Sequence, residues 1–197
     1  GVDIFFVISG YLITALLLRE GAVTGRINLF LFWKRRARRL LPAIALLILV
    51  TGPIALAIGG DIQVNLGRQL TGAGTFSSNW LSIFSGNDYF AQTSPELFTN
   101  FWSLAVEEQF YLFWPLLLVA AGVILGRRWR RFSLIIFIAI IASLTSGTVM
   151  LAFGAPISRI YYGTDTHVYG LLLGVLLAFS IPWSLYPPRD KHVIYRV

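Results

Sequence analysis

Apolar residues run along this chain in long blocks, with neither strand-like alternation nor a single helical stripe. Five blocks approach the roughly 20 residues that carry a helix across a bilayer. They cover about 2–18, 41–58, 101–125, 132–153 and 168–186, and each is predicted to span. The first is short, and Asp3 sits at its start. A sixth stretch, 66–84, carries Arg68, Gln69 and several hydroxyl residues and glycines among its apolar positions.

Basic residues separate the blocks unevenly. Arg19, Arg26, Lys34, Arg35, Arg36, Arg38 and Arg39 lie between the first and second. Arg127, Arg128, Arg130 and Arg131 lie between the third and fourth, and Arg189, Lys191 and Arg196 follow the fifth. The intervening connections hold only Arg68 and Arg159. The positive-inside rule puts the three basic clusters in the cytoplasm, Gly1 outside and Val197 inside. A spanning 66–84 would move the Arg127–Arg131 cluster outside, so that stretch is predicted to be a re-entrant or interfacial helix. The expected fold is an all-α, polytopic transmembrane helix bundle forming one domain over 1–197.

Composition agrees: 56% of residues are hydrophobic and 13% charged, against roughly 45–50% and 25% in soluble domains. The net charge of +7 is held at block ends, not on one soluble basic face. That disfavours nucleic-acid binding and leaves the lipid bilayer as the partner. With no cysteine and two histidines, thiolate catalysis and disulfides are excluded and a metal site is not expected. The chain begins at Gly1, without methionine or the marks of a signal peptide, and reads as a piece of a longer protein. Trp102, Trp114, Trp129 and Trp183, near block ends, fit interfacial aromatic belts.

Ionisable groups inside a membrane are costly and mark candidate sites. Glu107 and Glu108 fall about one and a half turns into the third block. At helical spacing Ser103, Glu107, Tyr111 and Trp114 share a face, and Glu108 points about 100° away. A carboxylate there can act as a base or orient one; the bland alternative is a solvated pair, or one matched by an arginine. Between 32 and 42, Phe32, Arg35, Arg36 and Arg39 fall on one helical side, and Pro42 is placed to begin the second span. Arginine forks suit phosphates, but a topology signal resting on anionic lipid explains the same run. In the first block Asp3, Gly10 and Thr14 align while Ser9 points elsewhere. Small residues there ordinarily mean close helix packing. Before the fifth span, Asp165 is placed to cap a helix and His167 to titrate near neutrality.

Four runs together resemble acyltransferase family 3, the membrane enzymes that O-acylate lipopolysaccharide O-antigen and related envelope glycans. They are Gly1-Val-Asp-Ile-Phe-Phe-Val-Ile-Ser-Gly10, the basic run 32–42, Trp102-Ser-Leu-Ala-Val-Glu-Glu-Gln-Phe-Tyr111, and Tyr162-Gly-Thr-Asp-Thr-His-Val-Tyr-Gly170. The resemblance implies acyl transfer, commonly of acetyl, from a cytoplasmic acyl-coenzyme A to a hydroxyl of a glycan outside the inner membrane. The donor is a substrate, with no resident cofactor. By motif, Arg35, Arg36 and Arg39 face the coenzyme phosphates, and Glu107, Asp3 and Ser9 carry the catalytic positions. Trp102, Ser103, Tyr111, Asp165 and His167 complete the motifs. The sequence departs from the pattern in two ways. The family's histidine, in a helix that would precede Gly1, has no counterpart here, and Asn100 stands where many relatives carry histidine. Many relatives also continue into a periplasmic SGNH-type domain. Two other classes compete: a transporter or channel, for which the paired half-repeats are missing, and a non-catalytic relative.

Overall fold

The computed structural model describes residues 1–85, 97–125 and 129–180 and is helical, with no strand among the described residues. Arg127, Arg128, Arg189, Lys191, Arg196, Trp183 and the end of the fifth apolar block, 181–186, lie outside them. Among the described residues four helices are long and apolar enough to cross a membrane: α1 (Val2–Thr24), α2 (Leu29–Ile58), α5 (Phe101–Leu125) and α6 (Trp129–Ala152). Between them come α3 (Leu66–Thr75) and α4 (Ser78–Phe84), and the chain continues through α7 (Ile157–Tyr162) into α8 (Thr164–Ser180). Large apolar side chains such as Leu46, Leu49 and Leu56 of α2 and Ile138 of α6 point outward. Lipid tails are as apolar as leucine, so an outward apolar surface is the expected state of a membrane bundle.

α1, α5 and α8 run in one direction, α2 and α6 in the other. The parallel set is fixed by contacts near its starts: Phe6 packs on Trp102, and Tyr169 donates a hydrogen bond to Asp3 (2.9 Å). α1 and α8 form the most intimate pair, and glycine makes it possible. A methyl group at Gly10 would overlap the Leu171 carbonyl, and one at Gly174 would overlap the Val7 carbonyl. Small residues let two helix backbones touch where lipid supplies no hydrophobic drive to bring them together.

α2 corrects one expectation. Its 30 residues include the whole arginine run, and Pro42 lies inside it instead of opening a new helix. The helix begins at Asn28, whose side chain accepts from the Leu31 N–H (3.0 Å). Glu20 of α1 ties this start by accepting from the Asn28 N–H (3.0 Å). Pro42 interrupts one intrahelical bond, and the helix continues through it. A second correction concerns the tryptophans. Trp102 and Trp114 are buried (4% and 3% exposed), so they pack the bundle interior and do not form a belt.

The stretch 66–84 folds back on itself as two short helices and does not form a span. At about 1.5 Å per residue, α3 and α4 are roughly 15 and 10 Å long, far short of a ~30 Å hydrocarbon core. α3 descends antiparallel to α2, with Leu70 beside Gly52 and Gly74 beside Ile48. The chain reverses at Phe76, which holds a left-handed backbone (φ 53°). α4 then returns along α5, where Trp80 donates to the Gln109 side chain (3.3 Å).

Candidate active site

Glu107 is the centre of the arrangement. It lies six residues into α5, about 9 Å along the axis, and is 2% exposed. The Tyr111 hydroxyl, one turn later, donates to its carboxylate (3.4 Å), and the Ser9 side chain of α1 is hydrogen-bonded to it as well. Three expected site residues therefore meet: Glu107 and Tyr111 from one motif and Ser9 from another. Trp114 extends the same face, stacked between Phe110 and Phe132. Ser103 is not part of the cluster. Its hydroxyl donates to the Asn100 carbonyl (3.1 Å) at the start of the helix.

Glu108, a helical step of 100° away, has the bland role. Arg36 grips it bidentately, Nη2 to Oε1 at 2.8 Å and Nε to Oε1 at 3.1 Å. The same guanidinium lies over the Tyr111 ring, 3.4 Å from its centroid, and Trp33 donates to the Tyr111 carbonyl (3.1 Å). The arginines thus divide. Arg36 turns into the bundle, Arg35 pairs with Glu20 at 3.4 Å and is partly exposed, and Arg39 is exposed. The helical side on which they were grouped is real, but the fork of Arg36 is already occupied by a carboxylate.

Asp3 stands apart from Glu107, at the rim formed by the starts of α1 and α8. It accepts from the Tyr169 hydroxyl and lies 3.9 Å from His167 Nδ1. His167 Nε2 is 2.9 Å from the Tyr161 carbonyl. A carbonyl only accepts, so Nε2 carries a proton, and in the neutral ring Nδ1 presents its lone pair. Trp102 packs against the imidazole with centroids 5.1 Å apart. Asp165 lies in the first turn of α8, not at the cap. Arg159 holds both its oxygens, at 2.8 and 2.9 Å.

A buried amide network went unforeseen in the sequence. Asn79 of α4, fully buried, donates to the Tyr162 carbonyl (3.1 Å) and to Thr164 Oγ1 (2.9 Å). Gln109 donates to Asn79 Oδ1 and to the Phe76 carbonyl (both 3.0 Å), and its own carbonyl accepts from Thr164 (2.7 Å). The network fastens the re-entrant hairpin to α5 and α8. The available signal was the position of Gln109, directly after the two glutamates. No group of three or more metal-ligating side chains occurs among the described residues.

The sequence model of an acyltransferase domain matches residues 1–187. A protein provisionally named O-acetyltransferase from Staphylococcus aureus strain COL is 43% identical over 182 residues, which are 92% of this chain and 30% of that protein. O-acetyltransferase OatA of S. aureus strain NCTC 8325 is 42% identical over 184 residues, with the same shares covered. This chain therefore spans about 30% of the length of the curated relatives it matches. No solved structure matches it.

Proposed function

This chain belongs to the acyltransferase domain family, and from that premise we propose that the full-length protein moves an acyl group, commonly acetyl, from acyl-coenzyme A to a hydroxyl of a cell-envelope glycan. The protein lies in the bacterial inner membrane, with the basic end of the bundle in the cytoplasm and the Asp3–His167 rim outside. Lipopolysaccharide O-antigen is one acceptor of the required kind. The observation that carries this reading is the meeting of Ser9, Glu107 and Tyr111 in the buried middle of the bundle, between a cationic end and a polar, aromatic rim.

In the reaction the glycan hydroxyl oxygen attacks the thioester carbonyl. A C–O bond forms and the C–S bond breaks, while the hydroxyl proton passes to a base and from it to the departing sulfur, so that coenzyme A leaves as the thiol. A neutral hydroxyl is a weak nucleophile, so the base is essential. Glu107 is too enclosed to touch a glycan. It acts as a positioning residue, orienting the histidine that the family pattern places in a helix preceding Gly1 and stabilising its protonated form. The donor's phosphates are held at the arginine run, with Arg39 and Arg35 the accessible members. Arg36 contributes by fixing Glu108 and Tyr111.

The test replaces Glu107 with Gln in the full-length protein. We expect kcat to fall by about 10²–10⁴ while KM for acetyl-CoA stays within a few-fold, because a positioning residue acts on the transition state. Asp at the same position should restore part of the rate. Turnover near the parent level in folded Glu107→Gln protein refutes the assignment. A panel of glycans, O-antigen included, identifies the acceptor.

A further inference from the structure

Beneath the re-entrant tip lies a cavity of about 260 Å³. Its polar lining includes Arg36, Glu108 and Gln109. Its walls are apolar: Trp33, Leu40 and Leu41 of α2 on one side, Tyr111 and Leu112 of α5 on the other. Thr75 and Phe76 line it from the re-entrant side. At roughly 30 Å³ for each water-sized group, there is room for about eight or nine non-hydrogen atoms. That suits a short acyl group with its thioester and the first atoms of the thiol arm. A mostly apolar cavity whose charged groups are paired with each other is poorly suited to a sugar and well suited to an aliphatic chain.

Phe76 is held unusually firmly for a residue in a turn. Its backbone is left-handed (φ 53°, ψ 38°), a conformation that costs a bulky residue about 1–2 kcal/mol. Its carbonyl is gripped by Gln109, which is itself fixed by Asn79, Trp80 and Thr164. Strain of this kind persists only where the surroundings over-determine it, and it concentrates at functional positions. Here a buried amide network holds an aromatic ring beside a cavity.

We propose that this cavity is the acyl pocket of the donor site and that Phe76, presented by the re-entrant tip, sets the length of acyl group accepted. The proposal rests on the acyl-CoA reading above and adds to it a selecting residue outside every motif that suggested that reading. Leu40 and Leu112 are the opposing walls. The selection is steric, so it alters which donor is used and leaves the chemistry of transfer unchanged.

The experiment measures kcat/KM for acetyl-, butyryl-, hexanoyl- and octanoyl-CoA in the full-length protein and its variants. Phe76→Gly is the first variant, because glycine adopts the left-handed backbone freely and keeps the turn. It should raise the butyryl-to-acetyl ratio by about tenfold to a hundredfold, the range by which a pocket discriminates a methylene or two. Leu40→Phe, which fills the cavity from the facing helix, should lower the same ratio. An unchanged ratio in an active Phe76→Gly protein overturns the proposal. If that variant is inactive, Leu112→Ala and Leu40→Phe decide the matter, and unchanged ratios in both overturn it equally. Absence of turnover in the parent protein with every acyl-CoA instead sinks the donor reading, and the two failures are thereby distinct.

Discussion

The Arg36–Glu108 pair offers the most quantitative test of the bundle's interior. The two side chains are 22% and 11% exposed, and the contact is bidentate with a shortest distance of 2.8 Å. At an effective dielectric near 20, unit charges 4 Å apart attract by about 4 kcal/mol. Removing one partner from a buried pair costs about 3–5 kcal/mol, because the other charge is left uncompensated. Arg36→Gln should be the worse single change: it strands the more enclosed Glu108 next to Glu107 and removes the cation from the Tyr111 ring. Glu108→Gln leaves the guanidinium its aromatic face and an amide acceptor, so it should cost less. The double variant should be more stable than Arg36→Gln alone, with a coupling of about 2 kcal/mol, within the range for contacting residues. Thermal unfolding in detergent, followed by tryptophan fluorescence, reads this directly. At roughly 2–4 °C per kcal/mol for a chain of this size, Arg36→Gln should lower Tm by about 6–20 °C. Arg36→Lys should fall between parent and Arg36→Gln, since lysine keeps the charge but loses the planar fork and much of the stacking. Additive losses in the double variant, or a cost below about 1 kcal/mol for Arg36→Gln as in exposed pairs, would refute the argument.

Two further outcomes follow from the packing and the charge pattern. Gly174→Ala should destabilise the bundle by about 2–3 kcal/mol by forcing α1 from α8, whereas Gly122→Ala on α5, where a methyl group meets nothing within 4 Å, should be neutral or stabilising by up to about 1 kcal/mol; equal thermal shifts in the two variants would defeat the close-packing account. Cysteines introduced at Arg26 and Asp61, in a chain that has none of its own, should react with an impermeant thiol reagent in intact cells at position 61 only, and labelling at 26 would invert the orientation.

The positions of the spanning helices were legible, because an unbroken apolar run has few alternatives in a bilayer, but most of their bounds were not: α1 runs on to Thr24 and α2 begins at Leu29. α5 occupies 101–125, the bounds set by hydropathy. That 66–84 does not form one spanning helix was legible from Arg68, Gln69 and the charge parity, although its division into two helices at Phe76 was not, because nothing in local sequence favours phenylalanine at positive φ. The failure at α2 has a definite cause. Splitting a chain at its charges assumes that charges face water, but Arg35 and Arg36 are met by Glu20 and Glu108 from other helices. Likewise the burial of Trp102 and Trp114 depends on which way α5 is turned, and hydropathy carries no such information for a helix apolar on every side. The amide network of Asn79, Gln109 and Thr164 joins residues up to 85 positions apart, beyond any local pattern.

Small-residue packing is the ordinary reading of both Ser9 and Gly10, with Ser9 also a motif position, and the geometry links the placement of the two. Gly10 lies against the Leu171 backbone, and only a residue without a side chain permits that approach. The contact fixes the rotation of α1 about its axis. Neighbouring residues on a helix differ by 100°, so turning Gly10 toward α8 commits Ser9 to another flank, the one occupied by Glu107 of α5. A larger residue at position 10 therefore does more than loosen two helices. It swings or displaces the serine from the buried carboxylate, and Glu107 then keeps only its hydrogen bond from Tyr111. In a bundle of this kind, the small residues that set helix rotation and the polar residues that meet across helices belong to one constraint. Adjacent positions in a motif consequently owe their identities to different neighbours.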